Sequence, residues 1–89
     1  MELRHLEYFI QVCKHKNFTH AAKALHVSQP TVTNAINQLE AELGVKLLIR
    51  NTKSVALTDQ GGIFFKRVES ILTDIQTSIE EIKKSSNPR

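Results

Sequence analysis

The sequence predicts a mainly α-helical fold, with a core of three helices, a small β-hairpin beside it and a long fourth helix leading out of the core. Three observations predict it. Apolar residues recur at helical spacing in three stretches before Gly44, and two short β-prone runs then flank a polar turn. From Phe64 to Ile82 the apolar residues fall at alternating three- and four-residue steps, a pattern too long for so small a core to cover.

The first helix is predicted over Met1 to Lys16, where Leu3, Leu6, Ile10 and Cys13 share one face that Tyr8, Phe9 and Val12 widen. Lys14, His15 and Lys16 close it with positive charge at the negative end of the helix dipole. Asn17 is a capping residue for the second helix, which turns Phe18, Ala21, Ala22 and Leu25 inward and ends near His26. The paired alanines permit a close helix crossing. The third helix follows V-S-Q-P. Ser28 can cap it by accepting the Thr31 amide, or Gln29 can, because Pro30 favours the first helical position. Gly44 stops it. V-K-L-L-I-R and S-V-A-L-T around N-T-K then read as a hairpin. Thr58 and Asp59 open the fourth helix, which runs to about Lys84 with Phe64, Val68, Ile71, Ile75, Ser78 and Ile82 on one stripe and Phe65, Leu72 and Ile79 beside it. At 1.5 Å per residue such a helix is roughly 35–40 Å long, so its distal half needs another surface.

Eighty-nine residues bound the chain to one small domain with a limited core, which raises the prospect of a second copy as a stabilising partner. The net charge of +3 is unevenly placed. Residues 1–57 hold seven Lys/Arg against four Asp/Glu, and residues 58–89 hold five against five. The basic surplus of the front part suits a polyanionic partner. One cysteine cannot form an internal disulfide, and there is neither a secretory signal nor an apolar run of membrane-spanning length, so a soluble, cytoplasmic chain with no membrane partner is expected.

The chemistry concentrates in H-V-S-Q-P-T-V-T-N-A-I-N-Q-L-E-A-E-L-G. Val32, Ile36, Leu39 and Leu43 take the core spacing, and the face between them shows only amides and hydroxyls. An amide can bond adenine bidentately in the major groove, and a threonine can offer its hydroxyl or pack its methyl against that of thymine. Gln29, Thr31, Thr33 and Asn34, with Pro30 at the leading edge, are therefore candidate base-contacting residues. Asn37 and Gln38 lie further from the helix N-terminus and from the groove floor. A short helix, a tight turn and a polar-faced helix make a helix-turn-helix, and the hairpin makes it winged. Thr19, His20 and Lys23 lie on the second helix, whose start in such a motif faces the DNA backbone. Thr19 and Ser28 are candidate backbone contacts, as are Arg50 and Lys53, which bracket the wing and could reach phosphates or the minor groove. Lys46 reads as a solvated charge.

The run F-T-H-A-A-K-A-L-H-V-S-Q-P-T-V-T-N-A-I-N-Q-L-E-A-E-L-G-V-K-L-L-I-R, continued by V-A-L-T-D-Q-G, resembles the N-terminal DNA-binding region of LysR-type transcriptional regulators. The combination of A-A-x-x-L-x-V-S-Q-P, L-E-x-x-L-G and L-T-x-x-G is specific, and the resemblance extends from Leu3 through the long helix. It implies a winged helix-turn-helix over residues 1–58 and a linker helix over 59–84 that pairs antiparallel with a second copy. A polar tail over 85–89 would mark a truncation point before an absent domain that senses a small-molecule inducer. The dimer interface is expected at Phe64, Val68, Ile71, Leu72, Ile75, Ile79 and Ile82. The family's usual site is an AT-rich interrupted palindrome in double-stranded DNA. Two positions depart from the family pattern: Asn34 stands where many members have arginine, and Lys53 stands at the wing tip where arginine is common, keeping the charge without the planar fork.

Two other readings are weaker. A winged helix can serve as a protein-docking module, but such a surface more often exposes apolar anchors than amides. No catalysis is expected: Cys13 lies in an apolar stripe, and the four histidines match no paired zinc spacing, so neither a metal nor a cofactor is expected in this stretch. Gly61 and Gly62 lack a phosphate-loop context and read as allowing close packing at the start of the fourth helix.

Overall fold

The computed structural model describes residues 1–51 and 53–85. Thr52 of the predicted turn, and all of the predicted tail after Ser85, lie outside the described residues. The element order is α1 (Leu3–His15), α2 (Phe18–Leu25), α3 (Gln29–Leu43), β1 (Leu48–Arg50), β2 (Val55–Leu57) and α4 (Asp59–Ser85). The two strands pair antiparallel with Ile49 opposite Ala56.

Local chemistry sets the helix ends. Asn17 caps α2 by accepting the His20 amide at 2.8 Å. Ser28, and not Gln29, caps α3: its Oγ accepts the Thr31 amide at 3.3 Å, and Gln29 is already helical. Gly44 ends α3 at φ 73°, in the left-handed region. The turn between α2 and α3 puts His26 in that same region at φ 60°, while the Val27 amide reaches back to the Ala22 carbonyl at 3.1 Å. Thr58 opens α4 by accepting the Gly61 amide at 2.9 Å and donating its hydroxyl to the Lys46 carbonyl at 2.7 Å.

The core forms where α1, α2 and α3 meet under the hairpin and the first half of α4. Phe9, Val12, Ala21, Val32, Ile36, Leu39 and Leu47 are fully buried. On α1 the buried face is turned from the expected one: Phe9 and Val12 are its centre, Leu3 is exposed, and His5 is buried. The reason is that α1 packs against α2, α3, α4 and β2 and so buries a wider arc than one stripe. Among the described residues the buried Nδ1 of His5 has no hydrogen-bond partner, and nothing in the structure explains it.

The two glycines of α4 differ. A Cβ on Gly61 would collide with the Leu47 carbonyl and come within 3.2 Å of Leu57 Cδ2, so close packing there requires glycine. A Cβ on Gly62 would meet nothing within 4 Å, which corrects the expectation that both serve packing. The molecule measures 54 × 25 × 19 Å because α4 projects past the core.

Candidate nucleic-acid interface

The cap geometry decides which side chains of α3 face outward. With helix starting at Gln29, the core takes Val32, Ala35, Ile36 and Leu39, and Gln29, Pro30, Thr31 and Asn34 are left exposed with Thr33 half-buried. Two hydrogen bonds order this face. Gln29 Nε2 donates to Thr33 Oγ1 at 2.9 Å, and the hydroxyls of Ser28 and Thr31 are hydrogen-bonded to each other at 2.7 Å. The first bond uses one of the two Gln29 amide hydrogens. The second hydrogen and the carbonyl oxygen remain for a bidentate partner, with one rotamer held in place.

Neither α2 nor α3 carries a carboxylate in its first turn, whereas α4 opens with Asp59. The positive dipole ends of α2 and α3 are thus unscreened by their own side chains, which suits an anionic partner. Thr19, on the first turn of α2, lines one cleft with Asn51, Lys53 and Ser54 of the wing. Lys16, the left-handed residue that ends α1 at φ 54°, joins them there. The fold therefore brings Thr19 and Lys53 together and adds a cation that the pattern of the chain had assigned only to closing α1. In the wing turn, Asn51 Oδ1 accepts the amides of Lys53 at 2.9 Å and Ser54 at 2.8 Å, which fixes the backbone that carries Lys53.

Arg50 is placed otherwise than expected. Its Nη2 donates to Glu40 Oε1 at 3.1 Å, and its guanidinium carbon lies 5.1 Å from the Phe18 ring centroid. Glu40, only 4% exposed, also accepts the amides of Leu47 at 2.7 Å and Leu48 at 3.1 Å, with Lys46 Nζ at 3.7 Å. A carboxylate this buried needs charged and backbone donors, and the planar fork of arginine is the best of them. Arg50 is thus held by Glu40 and Phe18, with 31% of its side chain still exposed. Sequence reasoning missed Glu40, although the signal was there: a charge inside the core spacing of α3, beside Leu39, with Arg50 ten residues on.

On α4 the expected interface residues divide. Val68 is covered by its own chain, the Phe64 ring sits 5.5 Å from that of Phe9, and Leu72 packs half-buried on the core. Val68 corrects the expected interface at its own position, because the first half of α4 lies over α1, while Phe64 and Leu72 are only half-buried. Ile71, Ile75, Ile79 and Ile82 stay exposed. Burial pushes the Cys13 thiol up from 9.0 to about 12, so it is no nucleophile at neutral pH. Among the described residues no group of three or more His, Cys, Asp or Glu could hold a metal ion, and no helix is long and apolar enough to cross a membrane.

Residues 3–62 match the family model described as "Bacterial regulatory helix-turn-helix protein, lysR family". The chain belongs to the LysR family. Among its LysR relatives, the Hca operon transcriptional activator HcaR of Escherichia coli (strain K12) is 45% identical over 78 residues, covering 88% of this chain and 26% of that protein. A probable cat1 operon transcriptional activator of Acinetobacter lwoffii is 43% identical over 76 residues, covering 85% of this chain and 25% of the relative. The chain thus spans about a quarter of the length of these relatives. The LysR fold match is as close: a complex of the BenM DNA-binding domain with catB site 1 DNA superposes at a TM-score of 0.96 with 35% identity, covering all of both chains. A complex of the CbnR DNA-binding domain with DNA superposes at 0.90 with 40% identity over 98% of this chain and 100% of that one. The architecture is accordingly the winged helix of LysR DNA-binding domains, and the chain is a DNA-binding domain of the transcription-regulator class rather than an enzyme.

Proposed function

We propose that the chain binds double-stranded DNA sequence-specifically, as a homodimer, on an AT-rich interrupted palindrome. The observation that carries this reading is the ordered amide and hydroxyl face at the N-terminal end of α3, flanked by Thr19 and Lys53 at the wing cleft. Gln29, Pro30, Thr31, Thr33 and Asn34 meet base edges in the major groove. Thr19, Ser28 and Lys53 meet the backbone or the adjacent minor groove, which sets register without reading sequence. Two copies joined by antiparallel α4 helices through Ile71, Ile75, Ile79 and Ile82 present two α3 helices to successive major grooves, roughly 34–36 Å apart. The similar BenM and CbnR structures, both protein–DNA complexes, support the partner class. In a full-length LysR regulator this domain acts in the cytoplasm on behalf of a region that binds a small-molecule inducer.

Selection of bound sequences from a random duplex pool, followed by salt titration, tests the reading. A spaced palindrome with a steep salt slope is expected. Absence of enrichment would favour a protein-docking role instead. On the recovered site, Gln29→Ala should cost about 1–3 kcal/mol per α3 helix. Equal loss on cognate and scrambled duplexes would reject base reading by this side chain.

A further inference from the structure

The Glu40 cluster joins every element of the proposed DNA surface, and neither charge patterning nor the base-reading face accounts for it. Glu40 leaves the inward side of α3 and spends both oxygens: Oε2 holds the backbone entering β1 through the Leu47 and Leu48 amides, and Oε1 holds Arg50 at its end. Arg50 in turn lies over Phe18, the first residue of α2 and the neighbour of Thr19. Asn51 follows directly, and its Oδ1 fixes the amides of Lys53 and Ser54. One buried carboxylate therefore ties α3 to the wing and, through Arg50, to the backbone-facing end of α2.

We propose that Glu40 is a positioning residue for DNA binding. It holds the wing at a set height against α3, so that the base contacts of Gln29 to Asn34 and the backbone contact of Lys53 form together on one duplex. The inference rests on the DNA-binding reading of that surface. Its physical basis is preorganisation: a contact group held to within about 0.5 Å binds without first losing the freedom of its loop. Two strands of three residues each, with a turn exposed to solvent, do not supply such rigidity alone. The carboxylate does, since its donors come from three positions along β1 and its approach.

The test is Glu40→Gln, which keeps an oxygen for the backbone amides and removes the ion pair. Circular dichroism first establishes a cooperative melt; if it is lost, Glu40→Gln with Arg50→Met, which leaves no unpaired buried charge, takes the place of the single variant. The probe is a labelled duplex carrying the site selected by the wild-type chain. Cognate affinity is expected to fall by about tenfold, the scale of one lost contact set. Hydroxyl-radical protection at the wing should vanish while adenine N7 protection in the major groove persists. Lys53→Ala should weaken binding in the wild-type background and add little in the variant. Unchanged affinity, parallel loss of both protections, or an equal Lys53→Ala cost in both backgrounds would overturn the proposal. A wild-type chain that selects no site removes the DNA reading itself, and this inference with it. A wild type that selects a site and a Glu40→Gln chain that binds that site with equal affinity remove the inference alone.

Discussion

The two halves of α4 have the same periodicity and opposite surroundings. From Gly61 to Val68 the apolar face is covered by the protein's own α1 and hairpin, and Val68 is 1% exposed. From Ile71 to Ile82 the same face continues into solvent, with Ile75 37% and Ile82 67% exposed. The proposed pairing with a second copy would cover this contiguous apolar surface. The difference teaches that heptad-like spacing identifies a face to be buried and does not say by what. The core ends where α1 ends, and the helix does not.

Substitutions along α4 test this contrast. Val68→Asp should have the largest effect: an unpaired charge inside the core costs several kcal/mol, a large part of the stability of a small domain, and circular dichroism should show no cooperative melt. Gly61→Ala should follow, losing about 3 kcal/mol in denaturant titration because the added methyl meets the Leu47 backbone, which cannot give way as a flexible side chain can. Ile75→Asp should leave the stability of the single chain within about 0.5 kcal/mol, since it lies outside the core on the distal half of α4. Its expected effect is on assembly: sedimentation should show a dimer turned into a monomer, and an unchanged dimer would sink the proposed α4 interface. Gly62→Ala should be the smallest and of opposite sign, raising stability by about 0.5–1 kcal/mol through helix propensity in open space. If Gly61→Ala and Gly62→Ala behave alike, the close approach of α4 to Leu47 is wrong.

Much of the fold was legible because its signals are local. Asn17, Ser28, Gly44 and Thr58 each act on backbone groups within a few residues, so their capping roles follow from residue type and position. The outward face of Gln29 to Asn34 follows from the helical period once Val32, Ile36 and Leu39 are taken as core. Even there, the choice between Ser28 and Gln29 as cap was open, because both residues satisfy the local preference. The fate of Arg50 was not legible. A cation beside a turn looks the same in sequence whether it faces a phosphate or a buried carboxylate ten residues earlier.

By itself the sequence determined the element order, most helix ends, the polar face of α3 and the membership of a winged-helix family, since each depends on neighbours along the chain or on motifs of fixed spacing. Tertiary structure alone decided that Gly61 is indispensable and Gly62 is not, that Val68 belongs to this chain's own core with Phe64 packed half-buried against it, and that Lys16 joins Thr19 and Lys53 at one cleft. It also decided that Glu40 captures Arg50. These outcomes depend on which surface lies a few ångströms away across the fold, and that distance is set by packing between elements, which no local spacing encodes.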